Sequence, residues 1–248
     1  MSLPWAVPAK GWLNAALGLV YPEVCQVCGE QRAGPAESFI CQDCRATVRF
    51  IEPPFCARCG LPFEGEITGG FECSNCRERD WPFVRARSAV VAQGKLLDVI
   101  HRYKYNRAMW FEPFLADLLV RKAKPELALE TWDFIIPVPL HPTKLREREF
   151  NQAERLARRL SAETGIPLQT RWLRRVLPTK TQTLLSREER LANVKRAFSL
   201  RGVPPVAGKR LVLVDDVFTT GATTAACAEI LHGAKAASVC VWTVARGI

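Results

Sequence analysis

From residue 87 onward the chain alternates apolar runs with amphipathic stretches. RSAVVA (87–92) reads as a strand, while GKLLDVIHRYKY (94–105) and FEPFLADLLVRK (111–122) space apolar residues three and four apart, as one face of a helix requires. DFIIPVP (133–139) is a short buried strand ending in prolines. NQAERLARRLSAETG (151–165) is an amphipathic helix stopped by Gly165, with Arg155, Arg158 and Arg159 on or near its solvent side. KRLVLVDD (209–216), ATTAACAEILHG (222–233) and SVCVWTVA (238–245) complete a strand, helix, strand unit. Strands alternating with helices predict an α/β fold, a mainly parallel sheet covered on both faces. Ligands of such sheets sit beyond the carboxyl ends of the strands.

The first 80 residues follow another rule. Of ten cysteines, eight fall in four C-x-x-C pairs: Cys25 and Cys28, Cys41 and Cys44, Cys56 and Cys59, Cys73 and Cys76. Each such turn holds two thiolates about one tetrahedral edge apart, and two turns close a structural Zn2+ site. CQVCG and CARCG end in glycine whereas CQDCR and CSNCR end in arginine, so the segment reads as a tandem repeat of about 31 residues. The repeat assigns the first four cysteines to one zinc and the last four to another; a crossed arrangement, with the first and third pairs sharing an ion, stays open. Gly29 and Gly60 permit the positive φ that turns backbone N–H groups toward sulfur. Four pairs are too many for one redox dithiol, and no secretion signal argues for disulfides. Cys227 and Cys240 fall in predicted helix and strand, as core residues. The composition shifts at RDWPF (79–83), taken as a linker, which gives a zinc-ribbon domain at 1–80 and an α/β domain at 81–248.

Charge sharpens this division. The 248 residues carry a net +10, but residues 1–80 hold 7 Lys and Arg against 10 Asp and Glu, and residues 81–248 hold 28 against 15. Two Zn2+ ions, each in four thiolates, would take the first segment from −3 to about −7. An acidic module grips phosphate poorly, so the ribbons are expected to be structural, folding on metal and docking on the body or a partner. Residues 141–210 hold 17 basic against 6 acidic side chains, a field that attracts polyanions. The longest apolar run, GWLNAALGLVY (11–21), is too short to span a membrane and contains Asn14. A short N-terminal helix, no membrane insertion and a cytoplasmic location are the expectation.

The chemistry concentrates in LVLVDDVFTTGATT (211–224). A loop of small residues between a strand end and a helix start exposes N–H groups at the positive end of the helix dipole, which suits a phosphate. Thr219, Thr220, Thr223 and Thr224 add hydroxyls. Asp215 and Asp216 could accept hydrogen bonds from adjacent sugar hydroxyls, directly or through Mg2+. Phosphate beside diol describes a ribose 5-phosphate.

VLVDDVFTTGATT resembles the phosphoribosyl-pyrophosphate (PRPP) motif of type I phosphoribosyltransferases, in which two acids meet the ribose hydroxyls and the following loop cradles the 5-phosphate. That resemblance gives Asp215 and Asp216 the catalytic position and Thr219, Thr220, Gly221, Ala222 and Thr223 the phosphate loop. With the C-x-x-C module in front, YKY (103–105), IIPVPLHPTKLREREFNQA (135–153) and TKTQTLLSREERLANVKRAF (179–198), the chain is similar to the ComF family over nearly its full length. The resemblance implies a double zinc ribbon before a type I phosphoribosyltransferase-like parallel sheet flanked by helices. It further implies PRPP with Mg2+, and a role in uptake or use of single-stranded DNA alongside other DNA-uptake proteins. Lys144, Arg146 and Arg148 are the natural partners for pyrophosphate. Glu149 stands where the family usually has glycine, which raises the question of how a tight turn forms after Arg148 and adds negative charge near the pyrophosphate. Three readings are compatible with these residues: an enzyme transferring phosphoribose without a covalent nucleophile, a basic-groove DNA-binding protein using Trp172 and Phe150 as stacking platforms or burying them as core, and a PRPP-binding regulator. No histidine among His101, His141 and His232 is named as a base.

Overall fold

The computed structural model describes residues 23–65, 67, 69–177 and 197–248. The expected helix at 11–21 lies outside these residues, as does all but the end of the 179–198 motif. The chain divides into two compact units, Met1–Thr47 and Val48–Ile248.

In the first unit, Val24 bridges Arg32 across a tight knuckle, and α1 (Gln42–Ala46) begins at Cys41. The second unit opens with the same construction. Phe55 bridges Pro62, and α2 (Ser74–Arg77) begins at Cys73. The two helix-starting cysteines have nearly identical backbones, φ/ψ of −66/164° and −67/159°. Gly29 and Gly60 take φ of +73° and +66°, as the repeat predicts. The second ribbon shares its compact unit with the sheet, and RDWPF is packed rather than free: Trp81 and Phe83 are buried, with ring centroids 5.0 Å apart.

The sheet has four parallel strands in the order β1, β6, β5, β2: β1 (Arg85–Val91), β2 (Phe134–Pro137), β5 (Arg210–Phe218) and β6 (Ser238–Arg246). A separate antiparallel pair joins β3 (Leu173–Arg175) to β4 (Phe198–Leu200). Between β1 and β2 run α3 (Gly94–Tyr105) and α4 (Glu112–Leu127); α5 (Pro142–Arg148) and α6 (Gln152–Thr164) follow β2, and α7 (Ala222–Gly233) links β5 to β6. Helix α6 starts where Asn151 Oδ1 accepts from Ala153 N and stops at Gly165, φ +74°, so both ends obey their local sequence.

Helices α4 and α6 pack on each other and on one face of the sheet. The opposite face carries α7 together with the second ribbon: Leu211, Leu213, Val239 and Val241 share one apolar cluster with Cys227, Leu231, Trp81 and the four cysteines of that ribbon. Residues 211 and 213 meet this cluster because strand side chains alternate faces. Cys227 and Cys240 are fully buried core residues. Among the described residues no helix is long and apolar enough to cross a membrane.

Candidate functional site

Strand β5 continues past the two acids to Phe218, with Asp215 opposite Thr243 and Val217 opposite Ala245 of β6. Adjacent residues in an extended strand point to opposite faces, so Asp215 and Asp216 straddle the strand instead of forming a side-by-side pair at its end. Asp216 faces α3, where Lys104 Nζ lies 2.9 Å from its Oδ1. Burial works against the Lys104 charge, but the carboxylates of Asp216 and Asp215 outweigh it and raise its pKa. Asp215 lies on the α7 side. Burial and the neighbouring Asp216 charge push it up to about 7, against the pull of Lys104. Its Oδ1 accepts from the Asp216 backbone N–H at 2.9 Å.

Beyond Phe218 the chain forms the expected loop. Thr219 and Thr220 are exposed, and Gly221 caps α7 at φ +72°. A Cβ on Gly221 would stand 2.5 Å from Phe218 Cζ and 2.9 Å from the Trp81 ring, so glycine is required by packing as well as by conformation. Thr224 Oγ1 donates to Gly221 O at 3.0 Å, and Ala222 N donates to Thr220 Oγ1 at 3.4 Å. Thr224 is thus spent on the cap, while Thr219 and Thr220 face outward.

The neighbouring edge is built by β2 and the segment after it. Pro137 pairs with Val214 and Val138 N donates to Val214 O at 2.9 Å, which brings the start of 138–148 beside the β5 acids. Helix α5 carries Lys144, Arg146 and Arg148. Lys144 Nζ is 2.8 Å from Glu147 on the same helix, Arg146 is exposed, and Arg148 alone is tied inward. Its Nη1 donates to Gln152 Oε1 at 3.1 Å and its guanidinium lies 4.9 Å from the Tyr105 ring centroid. The buried Gln152 in turn donates to Lys104 O at 3.4 Å. A polar chain therefore runs from Arg148 through Gln152 to Lys104 and Asp216. YKY and the REREFNQ stretch, separate in sequence, meet there. Lys104 and Gln152 were not singled out by residue pattern, since each reads locally as an ordinary polar position of a helix; their places inside those two stretches were the available signal. Arg175 on β3 adds its charge near Asp215.

Glu149 answers the question it raised. It takes φ +69° as the C-cap of α5, its N–H donating to Leu145 O at 2.7 Å, so the turn forms without glycine in the left-handed region. Its carboxylate pairs with Arg107 at 2.7 Å on the exposed surface. His141 serves the same helix, its Nδ1 accepting from Thr143 N at 3.3 Å. Trp172 and Phe150 pack inward, 4.8 Å from Phe134 and 5.2 Å from Tyr103.

The cysteines gather as two groups, Cys25, Cys28, Cys41, Cys44 and Cys56, Cys59, Cys73, Cys76, each with all four sulfurs within 4.8 Å. Pairing is sequential, not crossed. Contacts of 3.8 Å from Cys25 to Cys44 and from Cys28 to Cys41, and 3.7 Å from Cys59 to Cys73, match the edge of about 3.8 Å that four Zn–S bonds of about 2.3 Å define. Four thiols at that spacing, with backbone N–H groups of Cys41 and Cys73 aimed at Cys25 and Cys56 sulfur, fit structural Zn2+. Burial raises the Cys25 and Cys56 thiols, but the backbone donors more than offset it and bring them to about 6 and about 7.

Comparison with known proteins finds a family match for the ribbons and relatives along most of the chain. The double zinc ribbon domain family matches residues 16–79. Competence protein F of Haemophilus influenzae is 32% identical over 217 residues, covering 85% of this chain and 92% of its own length. DNA utilization protein YhgH of Escherichia coli (strain K12) is 33% identical over 210 residues, 84% and 90% covered. Competence protein ComFC of Bacillus subtilis is 26% identical over 253 residues, 94% and 99% covered. Among solved structures, a purine phosphoribosyltransferase from Pyrococcus horikoshii Ot3 matches 54% of this chain and 83% of its own at 19% identity and a TM-score of 0.35. With a third of its residues shared along nearly the whole length of relatives named for competence and DNA utilization, the chain belongs to the ComF family.

Proposed function

We propose that the carboxyl edge of β5 binds PRPP. The observation that carries this reading is the convergence at one sheet edge of an acid pair, a glycine-capped loop opening a 12-residue helix, and a cationic chain on the adjacent segment. Thr219 to Thr223 would hold the 5-phosphate with backbone N–H groups and hydroxyls at the helix N-terminus. Asp215 and Asp216 would accept from the ribose hydroxyls. Mg2+, a hard cation suited to carboxylate and phosphate oxygens, fits this donor set and would screen the pyrophosphate charge when bound with PRPP. Arg148, anchored by Gln152 and Tyr105, and the more exposed Lys144 and Arg146 would face the pyrophosphate and stabilise it as it departs. Catalysis, where transfer occurs, would rest on this positioning.

The names of the relatives support a place for the protein in competence or DNA utilization. A wide single-stranded DNA groove gains less support than the net charge alone implies. Several cations of the basic segment are matched by acids: Arg158 with Glu154, Arg159 with Glu163, Lys209 with Asp133 and Arg155 with Glu112. Calorimetric titration with PRPP in Mg2+ tests the reading. The parent should bind, and the Asp215→Asn, Asp216→Asn double variant should lose at least tenfold in affinity, about 1.4 kcal/mol. Equal binding by the double variant refutes the assignment. Single-stranded DNA binding, measured in parallel, should weaken steeply with salt if phosphates are its handle.

A further inference from the structure

Arg246, the last residue of β6, is 7% exposed and lies between the second four-cysteine cluster and the phosphate loop. Its Nη1 donates to Phe218 O at 3.1 Å, to Thr219 O at 2.8 Å and to Gly247 O, the first two being the carbonyls that lead into the loop. Its Nη2 donates to Cys59 Sγ at 3.8 Å, and its guanidinium lies 4.8 Å from the Phe218 ring centroid. A second link runs in parallel. Trp81 Nε1 donates to Cys76 Sγ at 3.2 Å, and the far edge of the same indole fills the space a Gly221 side chain would need. Two sulfurs of one cluster are thus bonded to two side chains that also hold the loop.

We propose that the Cys56, Cys59, Cys73, Cys76 cluster is the rear support of the phosphate loop, with Arg246 and Trp81 as positioning residues, so that metal at the cluster and a ribose phosphate at Thr219 to Thr223 stabilise one another. The ligand half of this inference rests on the PRPP reading above. The physical basis is charge. Four thiolates on Zn2+ carry −2, and N–H donors bond to thiolate more strongly than to a neutral thiol. Metal therefore strengthens the bonds that fix Arg246 and Trp81, and through them the carbonyls of Phe218 and Thr219 and the cap at Gly221. Linkage makes the effect mutual: a ligand that orders the loop must raise the affinity for metal by the same factor by which metal raises the affinity for the ligand.

Two measurements on the full chain test this. In the first, hydrogen exchange of the Thr219 to Ala222 amides is compared between parent, Arg246→Met, Arg246→Lys and Trp81→Phe. Arg246→Met should raise loop exchange about tenfold or more while Leu211 to Val214 stay protected, and Arg246→Lys, which keeps a cationic donor, should recover part of the protection. Should Arg246→Met unfold the sheet, Trp81→Phe decides through the second link, because it removes the N–H to Cys76 and the indole edge against Gly221 while leaving Arg246 in place. In the second, zinc is partitioned at equilibrium between the full chain and a chromogenic chelator with and without PRPP at fixed Mg2+. PRPP should raise the zinc affinity of one of the two sites about fivefold or more in the parent and not in Arg246→Met. Loop exchange equal to the parent in both Arg246→Met and Trp81→Phe overturns the inference. Failure of PRPP to bind the parent overturns the PRPP reading instead, and loop exchange then decides the inference by itself.

Discussion

In both ribbons a knuckle glycine sits at positive φ, the third cysteine starts a short helix, and a backbone N–H reaches the first sulfur at 3.3 or 3.4 Å. Cys28 is nevertheless partly open to solvent, whereas its counterpart Cys59 is buried and accepts from an arginine 187 residues away. Among the described residues, the first cluster is accompanied in its unit by the buried apolar side chains of Ala33 and Ile40; the second is a wall of the main core. Equal local sequence therefore specifies equal local geometry, and the surroundings decide what that geometry supports. A ribbon that only folds itself needs its metal for its own stability, while one built into a sheet passes that dependence to whatever the sheet presents.

The comparison breaks most readily at the ligands. Cys59→Ser should destabilise the sheet unit by on the order of 5 kcal/mol, since metal binding is folding free energy there. Cys28→Ser should lower bound zinc to one ion per chain and leave the unfolding midpoint of the sheet unchanged; near-ultraviolet circular dichroism with metal analysis reads both. A smaller effect is expected at the Lys104 ion pair, whose side chains are 17% and 12% exposed. Lys104→Met strands a largely desolvated Asp216 and should cost about 3 kcal/mol in denaturant unfolding.

Protonation gives a further test within the sheet unit. Asp215 is held at about 7 in the folded chain against an ordinary carboxylate value of 3.8. The folded state keeps a proton that the unfolded state releases, so this group's contribution is present at low pH and is lost as pH rises from about 4 to about 7. Asp215→Asn should flatten that part of the stability profile, measured by urea midpoints across pH. Because ribose hydroxyls and Mg2+ favour the carboxylate, PRPP affinity should rise from pH 6 to pH 8 with proton release on binding. The smallest effect belongs to the first ribbon: Arg32 is 86% exposed in its pair with Glu23, and Arg32→Ala should leave the unfolding midpoint indistinguishable from that of the parent.

Much of this was legible in the chain. The helices at 94–105 and 222–233 begin and end where periodicity and punctuation place them, and the cysteine repeat gave the zinc pairing through matched glycines and arginines. What escaped depends on tertiary encounter. Nothing in SVCVWTVAR marks its final arginine as a tie between a ribbon and a loop, because its partners lie 27, 28 and 187 residues away. The splitting of Asp215 and Asp216 across β5 was hidden for another reason: the acids looked like a strand end, but pairing with β6 carries the strand two residues further. RDWPF has the polarity of a linker at its start, while its two aromatics bury against the sheet.

On the proposed reading, PRPP lies with its 5-phosphate in the Thr219 to Thr223 loop and its pyrophosphate toward Arg148. PRPP carries a phosphomonoester and a pyrophosphate with separate phosphorus resonances, so 31P NMR of Mg2+·PRPP with the parent and with Gly221→Ala reads each end independently. Both ends should shift on binding the parent, and Gly221→Ala, whose added methyl meets Phe218 and Trp81, should abolish the shift of the 5-phosphate first. A 5-phosphate resonance that stays at its free position while saturating parent protein shifts the pyrophosphate, or no shift at either end, rules out this placement of PRPP.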